Sequence, residues 1–172
     1  MKKYLVITLA VILVSALAAG ALAAGKTGPA GKSNTAHLYL YEKDAVTWDI
    51  VADGAWGKMK YNLSGPTFDF VFNGHGLEAG VDYTLIYYAD PWPGDNPGAS
   101  IASGTTNSFG DIHLMGSKEL NMDLPTPPDT NLLGAKIWLV LSSDYDGSKM
   151  VGWTPAEYLF EYNLITFDDT DL

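Results

Sequence analysis

The segment Asp90-Pro91-Trp92-Pro93-Gly94-Asp95-Asn96-Pro97-Gly98 holds the most suggestive chemistry in the chain. Its prolines stiffen the loop, and no neighbour along the chain can bury Trp92. A tryptophan held among carboxylates and a carboxamide suits a sugar. The ring stacks on the apolar face of a pyranose, while Asp95 and Asn96 bind its hydroxyls. Trp153, Tyr145 and Trp56 fall at other predicted strand ends, and Trp153 and Tyr145 are the expected partners on such a surface. The competing expectation is that Trp92 folds back as a lid over the core.

Asp144-Tyr145-Asp146-Gly147-Ser148 has the D-x-D-G opening of many calcium loops. Asp144 and Asp146 supply two hard side-chain ligands, with help from Asp90, Asp95 or the C-terminal acids. The loop's twelfth position is Pro155 where an EF-hand has Glu, and Asp and Gly are also what a plain turn needs. Calcium is therefore the one ion the sequence suggests, and no other cofactor is expected. His37, His75 and His113 are the only histidines, with His113 and Met115 two apart on one strand. Without cysteine or a His-x-His spacing they form no recognisable metal motif.

Signals for catalysis are missing. The chain has no Gly-x-Ser-x-Gly elbow and no phosphate loop. Glu157 and Glu161 lie four apart, Asp69 faces away from a phenylalanine row, and nothing marks an acid pair across a cleft. The expectation is a non-catalytic protein, with a small secreted hydrolase as the remote alternative. Asn62-Leu63-Ser64 is a glycosylation sequon in a predicted turn.

The elements that would hold these residues begin with an export signal. Lys2 and Lys3 precede an uncharged stretch rich in Leu, Val, Ile and Ala, and small-x-small sites follow at Ala16-Leu17-Ala18 and Ala21-Leu22-Ala23. Residues 1–23 thus read as a signal peptide, with an uncleaved anchor as the alternative, which would be the only membrane attachment. Residues 24–36 are Gly, Ala, Ser, Thr and Lys with one Pro and one Asn, a flexible linker reaching roughly 20 Å. The mature chain of about 148 residues is large enough to bury a core as one domain, 37–172, and it must do so with no cysteine. The formal net charge of −10 becomes −12 without Lys2 and Lys3, and the chain has no Arg. Phosphate neutralisation relies on clustered Lys and Arg, so nucleic acid is excluded as a partner. An envelope protein or polysaccharide remains, at a secreted or cell-surface location.

From His37 onward, short runs of Tyr, Phe, Val, Ile and Trp alternate with Gly, Pro, Asn and Asp. They predict strands at His37–Lys43, Thr47–Val51, Trp56–Asn62, Thr67–Asn73, Val81–Ala89, Ala99–Thr106, Asp111–Ser117, Ala135–Ser142 and Glu161–Phe167. Phe68, Phe70 and Phe72 share one face of their strand. Ile137, Leu139 and Leu141 do likewise, but Trp138 and Val140 make the second face apolar, so that strand is expected to be covered or to meet a partner. Thr154-Pro155-Ala156-Glu157 predicts one short helix with a capping box.

Leu77-Glu78-Ala79-Gly80-Val81-Asp82-Tyr83 resembles the Leu-x-Pro-Gly-x-x-Tyr corner of fibronectin type III and related immunoglobulin-like sandwiches, with Ala79 in place of Pro. The resemblance implies that Leu77 plugs the core, Gly80 makes the turn and Tyr83 hydrogen-bonds to the upstream backbone. The chain is also similar to uncharacterised secreted proteins of methanogenic archaea, which implies no activity. The expected fold is an all-β, immunoglobulin-like antiparallel sandwich of about 7–9 strands with one short helix near the C-terminus. The expected function is a non-catalytic envelope or extracellular interaction domain, the alternative a carbohydrate-binding module.

Overall fold

Phe68, Phe70 and Phe72 alternate with Asp69, Val71 and Asn73, and this period of two folds as a strand whose burial follows the same alternation. The computed structural model describes residues 33–91 and 98–172. They form ten strands: β1 (Thr35–Tyr41), β2 (Trp56–Asn62), β3 (Ser64–Gly65), β4 (Phe68–His75), β5 (Asp82–Tyr88), β6 (Ala99–Thr105), β7 (Ile112–Lys118), β8 (Lys136–Leu141), β9 (Phe160–Glu161) and β10 (Asp168–Asp169). The predicted signal, linker start and Trp92 loop tip lie outside the described residues.

Two sheets face each other as an all-β sandwich. One has the order β7-β4-β2-β1-β9 and the other β6-β5-β8, and all of their pairings are antiparallel. A small parallel pair, β3 with β10, sits at one end. Leu38, Met59, Phe68, Phe72 and Leu114 from the first sheet meet Tyr83, Leu85, Tyr87 and Leu139 from the second. Truncating one such ring typically costs about 3–5 kcal/mol. Leu159 exchanges 2.9 Å backbone hydrogen bonds with Leu139 of β8, and the next two residues pair with Tyr41 and Leu40 of β1. Along this seam one short segment belongs to both layers.

The second apolar face of β8 is covered from within the chain. Ile86, Tyr88, Trp138 and Val140 point away from the main core and pack under Tyr145, Met150, Tyr158 and Phe160. The segment between β8 and β9 thus removes the strand's greasy outer face from water, a large part of its stabilising contribution.

Beside the main core lies a buried polar node. The Tyr87 hydroxyl donates to Asp129 Oδ2 at 2.6 Å, and Asp129 Oδ1 accepts the backbone N–H of Asn131 at 2.8 Å. Asp129 is only 3% exposed, so these donors are what make its burial tolerable. Burial pushes the Tyr87 hydroxyl well above its ordinary range, and the hydrogen bond to Asp129 adds to the rise.

Several expectations are corrected. Thr47–Val51 is a turn and not a strand, with only Ile50 bridging to Lys43. The last predicted strand shrinks to Phe160–Glu161, with Ile165 and Phe167 as isolated bridges to Ala135 and Leu124. The short helix is a single 3-10 turn at Pro155–Glu157 with no side-chain cap, so the capping box does not form. Leu77 and Tyr83 are buried, and Gly80 turns at φ +75°, a conformation glycine adopts without penalty. The Tyr83 hydroxyl is buried without a hydrogen-bonded partner. The Glu78 backbone lies near it, upstream as a corner requires, but the Glu78 carbonyl accepts the Thr106 hydroxyl at 2.5 Å.

Candidate functional site

Five segments converge on a cleft of about 360 Å³. β8 contributes Trp138 and Lys136, β9 contributes Phe160 and Glu161, and the end of β5 contributes Tyr88 with Asp90 just beyond. The loop after β1 brings Lys43 and Trp48, and the stretch before the 3-10 turn brings Trp153. The volume falls within the roughly 300–1,000 Å³ of small-molecule sites.

A local turn presents Trp48. Asp44 Oδ1 accepts the backbone N–H groups of Val46 at 2.9 Å and Thr47 at 2.8 Å, and the Trp48 N–H closes onto the Asp44 carbonyl at 2.9 Å. These bonds to Thr47 and Val46 hold the Asp44 carboxyl below its ordinary range. Trp48 itself is left-handed at φ 63°, which costs a bulky residue about 1–3 kcal/mol. The turn places its ring 48% exposed over the cleft, opposite Trp153 at 41%.

The rings meet as walls. Phe160 lies 5.1 Å from both Trp48 and Trp138, at 73° and 76°. Trp153 lies 6.3 Å from Trp48 and 6.0 Å from Trp138. Tyr88 stacks on Trp138 at 3.9 Å and 12°. Edge-to-face contacts of this kind fix ring orientation and add about 0.5–1.5 kcal/mol per pair.

Charges of both signs sit among the rings. The Trp138 indole N–H donates to the Glu161 carboxylate, and Lys43 Nζ donates to the Glu161 backbone carbonyl at 3.1 Å. Burial pushes the Glu161 carboxyl above its ordinary range, with Lys43, Trp138 and Lys136 among the groups pulling the other way. Lys136 Nζ forms an ion pair with Asp90 at 2.6 Å and stands over the Tyr88 ring. Two ammonium and two carboxylate groups therefore line the cleft, and their charges balance. Apolar ring faces beside fixed polar groups suit a ligand carrying C–H faces and hydroxyls more than a bare ion. A larger depression of about 720 Å³ lies on the outer face of β2, β4 and β7, near Lys60, Asp69 and Met115. It is broad and has no comparable convergence of rings, so the smaller cleft is the better candidate.

Of the residues expected to bind a ligand, Trp153 lines this cleft. Trp92, Asp95 and Asn96 lie outside the described residues. Tyr145 is buried in the outer cluster, and its hydroxyl, with no hydrogen-bonded partner, is pushed up to about 12 by burial. Trp56 packs on His75, away from the cleft. Asp144 accepts the Tyr158 hydroxyl, whereas Asp146 Oδ1 accepts the N–H groups of Ser148 and Lys149 at 2.9 Å. Those bonds hold the Asp146 carboxyl below its ordinary range, so Asp146 serves its own turn while Asp144 ties to Tyr158. Asn62 is a staple, donating to Thr67 O at 2.8 Å and accepting the Asp69 N–H at 2.8 Å. His75 pairs with Asp111 and His113 with Asn73, and the three histidines do not converge. Among the described residues no three His, Asp or Glu side chains gather closely enough to enclose a metal.

Trp48, Phe160, Lys43 and Lys136 went unmarked in the sequence, and Glu161 figures there only as a possible acid beside Glu157. One signal was present, because Asp44-Ala45-Val46-Thr47 has an aspartate placed to capture the next two or three amides and so to make a loop of what looks like a strand. Comparison of the chain with models of protein families, with curated proteins and with solved structures finds no match.

Proposed function

We propose that the protein is an exported, non-catalytic binding domain that takes carbohydrate in the aromatic cleft. One observation carries this reading: Trp48, Trp138, Trp153 and Phe160 wall a small cleft in which Glu161, Asp90, Lys43 and Lys136 offer balanced polar partners. A sugar ring presents apolar faces to the first group and hydroxyls to the second. Export rests on the N-terminal pattern of Lys2, Lys3 and the apolar stretch after them. An immunoglobulin or fibronectin type III identity for the sandwich is part of the proposal, supported by the placement of Leu77, Gly80 and Tyr83.

The test is titration of the full-length protein with neutral and acidic oligosaccharides, read by tryptophan fluorescence and calorimetry. Saturable binding that falls at least tenfold in Trp48→Ala and Trp153→Ala is expected. Flat titrations across the panel would remove the sugar and leave an envelope protein as the partner class. A second reading, a small glycoside hydrolase, gains from one feature: the cleft pairs a partly buried acid with a raised pKa, Glu161, with an ion-paired one, Asp90. Release of reducing ends by the wild type, abolished in Glu161→Gln, would favour it over simple binding.

A further inference from the structure

The four charged groups of the aromatic cleft are not equivalent, and their hydrogen bonds rank them. Lys136 Nζ is committed: it holds Asp90 at 2.6 Å and stands 5.9 Å from the centre of the Tyr88 ring. The Glu161 carboxylate accepts the Trp138 indole N–H, and burial disfavours its charge. Lys43 is placed differently. Its Nζ donates to the Glu161 backbone carbonyl at 3.1 Å, and among the described residues it forms no ion pair with a carboxylate. An ammonium carries three N–H donors, and a neutral carbonyl occupies one of them.

The loop after β1 fixes where those donors lie. Glu42 N–H donates to Ala55 O, Val51 N–H donates to Glu42 O, and Lys43 itself bridges to Ile50. The same braced loop carries Trp48, so ammonium and ring reach the cleft together. With Asp90 answered by Lys136, and ionisation of Glu161 disfavoured, Lys43 is the charge the cleft leaves uncompensated. A half-buried ammonium attracts a carboxylate more strongly than one in open water does. A neutral sugar would offer it only hydroxyls, whereas a sugar bearing a carboxylate supplies the opposite charge and still presents C–H faces to the rings. Phosphate is the poorer fit, because it favours several converging donors or an arginine fork, and the chain has no Arg.

We propose that the cleft selects a carboxylated sugar, a uronic acid, with the Lys43 ammonium donating to the carboxylate while Trp48 and Trp153 hold the ring. This selectivity presupposes that the cleft takes carbohydrate at all, and the experiment separates the two. Oligomers of galacturonate, glucuronate and mannuronate are titrated into the full-length protein beside their methyl esters, which keep the sugar ring and lose the charge. At least one acid should bind roughly tenfold more tightly than its ester at about 0.02 M ionic strength, and the margin should shrink at about 0.5 M. That comparison uses the wild type and needs no variant to fold. Lys43→Gln should erase the margin, the acid then binding no more tightly than its ester, and Lys43→Arg should retain it. Equal binding of acid and ester by the wild type, or a margin that survives in Lys43→Gln, overturns the role of Lys43 and leaves carbohydrate binding standing. Binding of neutral oligosaccharides alone has the same meaning. Flat titrations with every sugar, charged or neutral, overturn both.

Discussion

The Trp138 indole donates its N–H to the carboxylate of Glu161 from the opposite side of the seam between the two sheets. This bond ties a ring of the cleft wall to one of its two partly buried acids, so the shape and charge of the site are set together. It also leaves Glu161 ionisable in a place where ionisation is disfavoured.

That placement gives a pH prediction with a definite sign. Burial raises the folded-state pKa of Glu161, so its stabilising contribution is complete below the ordinary glutamate value of about 4.3 and is lost as pH rises through the raised value. Glu161→Gln keeps an acceptor for Trp138 without the charge. In urea titrations the variant should gain on the wild type as pH goes from about 4 to 7. A stability difference that stays constant across this range contradicts the raised pKa.

Trp48 separates binding from folding. Its ring is half exposed and its backbone strained, so Trp48→Gly should relieve the left-handed conformation while removing a cleft wall. The expected outcome is stability within about 1 kcal/mol of wild type and affinity for the bound oligosaccharide reduced at least tenfold. Trp48→Ala should lose the same affinity and be the less stable of the two, as chemical denaturation will show.

Gly57 lies under the ring of Phe72, and a Cβ there would collide with the ring edge. Phe72 is fully buried and cannot move away cheaply. Gly57→Ala should cost about 1–3 kcal/mol through overpacking, and Phe72→Ala about 3–5 kcal/mol through the cavity it leaves. Urea midpoints measured at constant m-value will rank them.

Asn62 uses both ends of its carboxamide on its own turn. Nδ2 donates to Ser64 O as well as to Thr67 O, and a glycan there would remove one of the two hydrogens these bonds use. Expressed through a glycosylating secretory pathway, the folded protein should carry Asn62 unmodified, which mass spectrometry will show. Asn62→Ala should cost about 1–3 kcal/mol by leaving backbone groups unpaired.

Most strands were legible because their chemistry is local. Phe68, Phe70 and Phe72 write a period of two, and Trp56–Asn62 falls where the alternation placed it. Thr47–Val51 misled because Val46, Trp48 and Ile50 also alternate, while the Asp44 carboxylate claims the amides a strand would need. The aromatic cleft was mostly hidden for a different reason. Its walls come from positions 43 to 161, and their meeting depends on Leu159–Glu161 passing from one sheet to the other. The apolar second face of β8 was visible in Trp138 and Val140, but what covers it, Tyr145, Met150 and Tyr158, is a tertiary fact.

The segment Leu159–Glu161, stitched to both layers, has a mechanical consequence. A molecule wedged against Phe160 and Glu161 grips the hinge line of the sandwich, so prying the layers apart must first expel it. Occupancy will therefore register across the whole domain as slower unfolding, including at amides remote from the ligand.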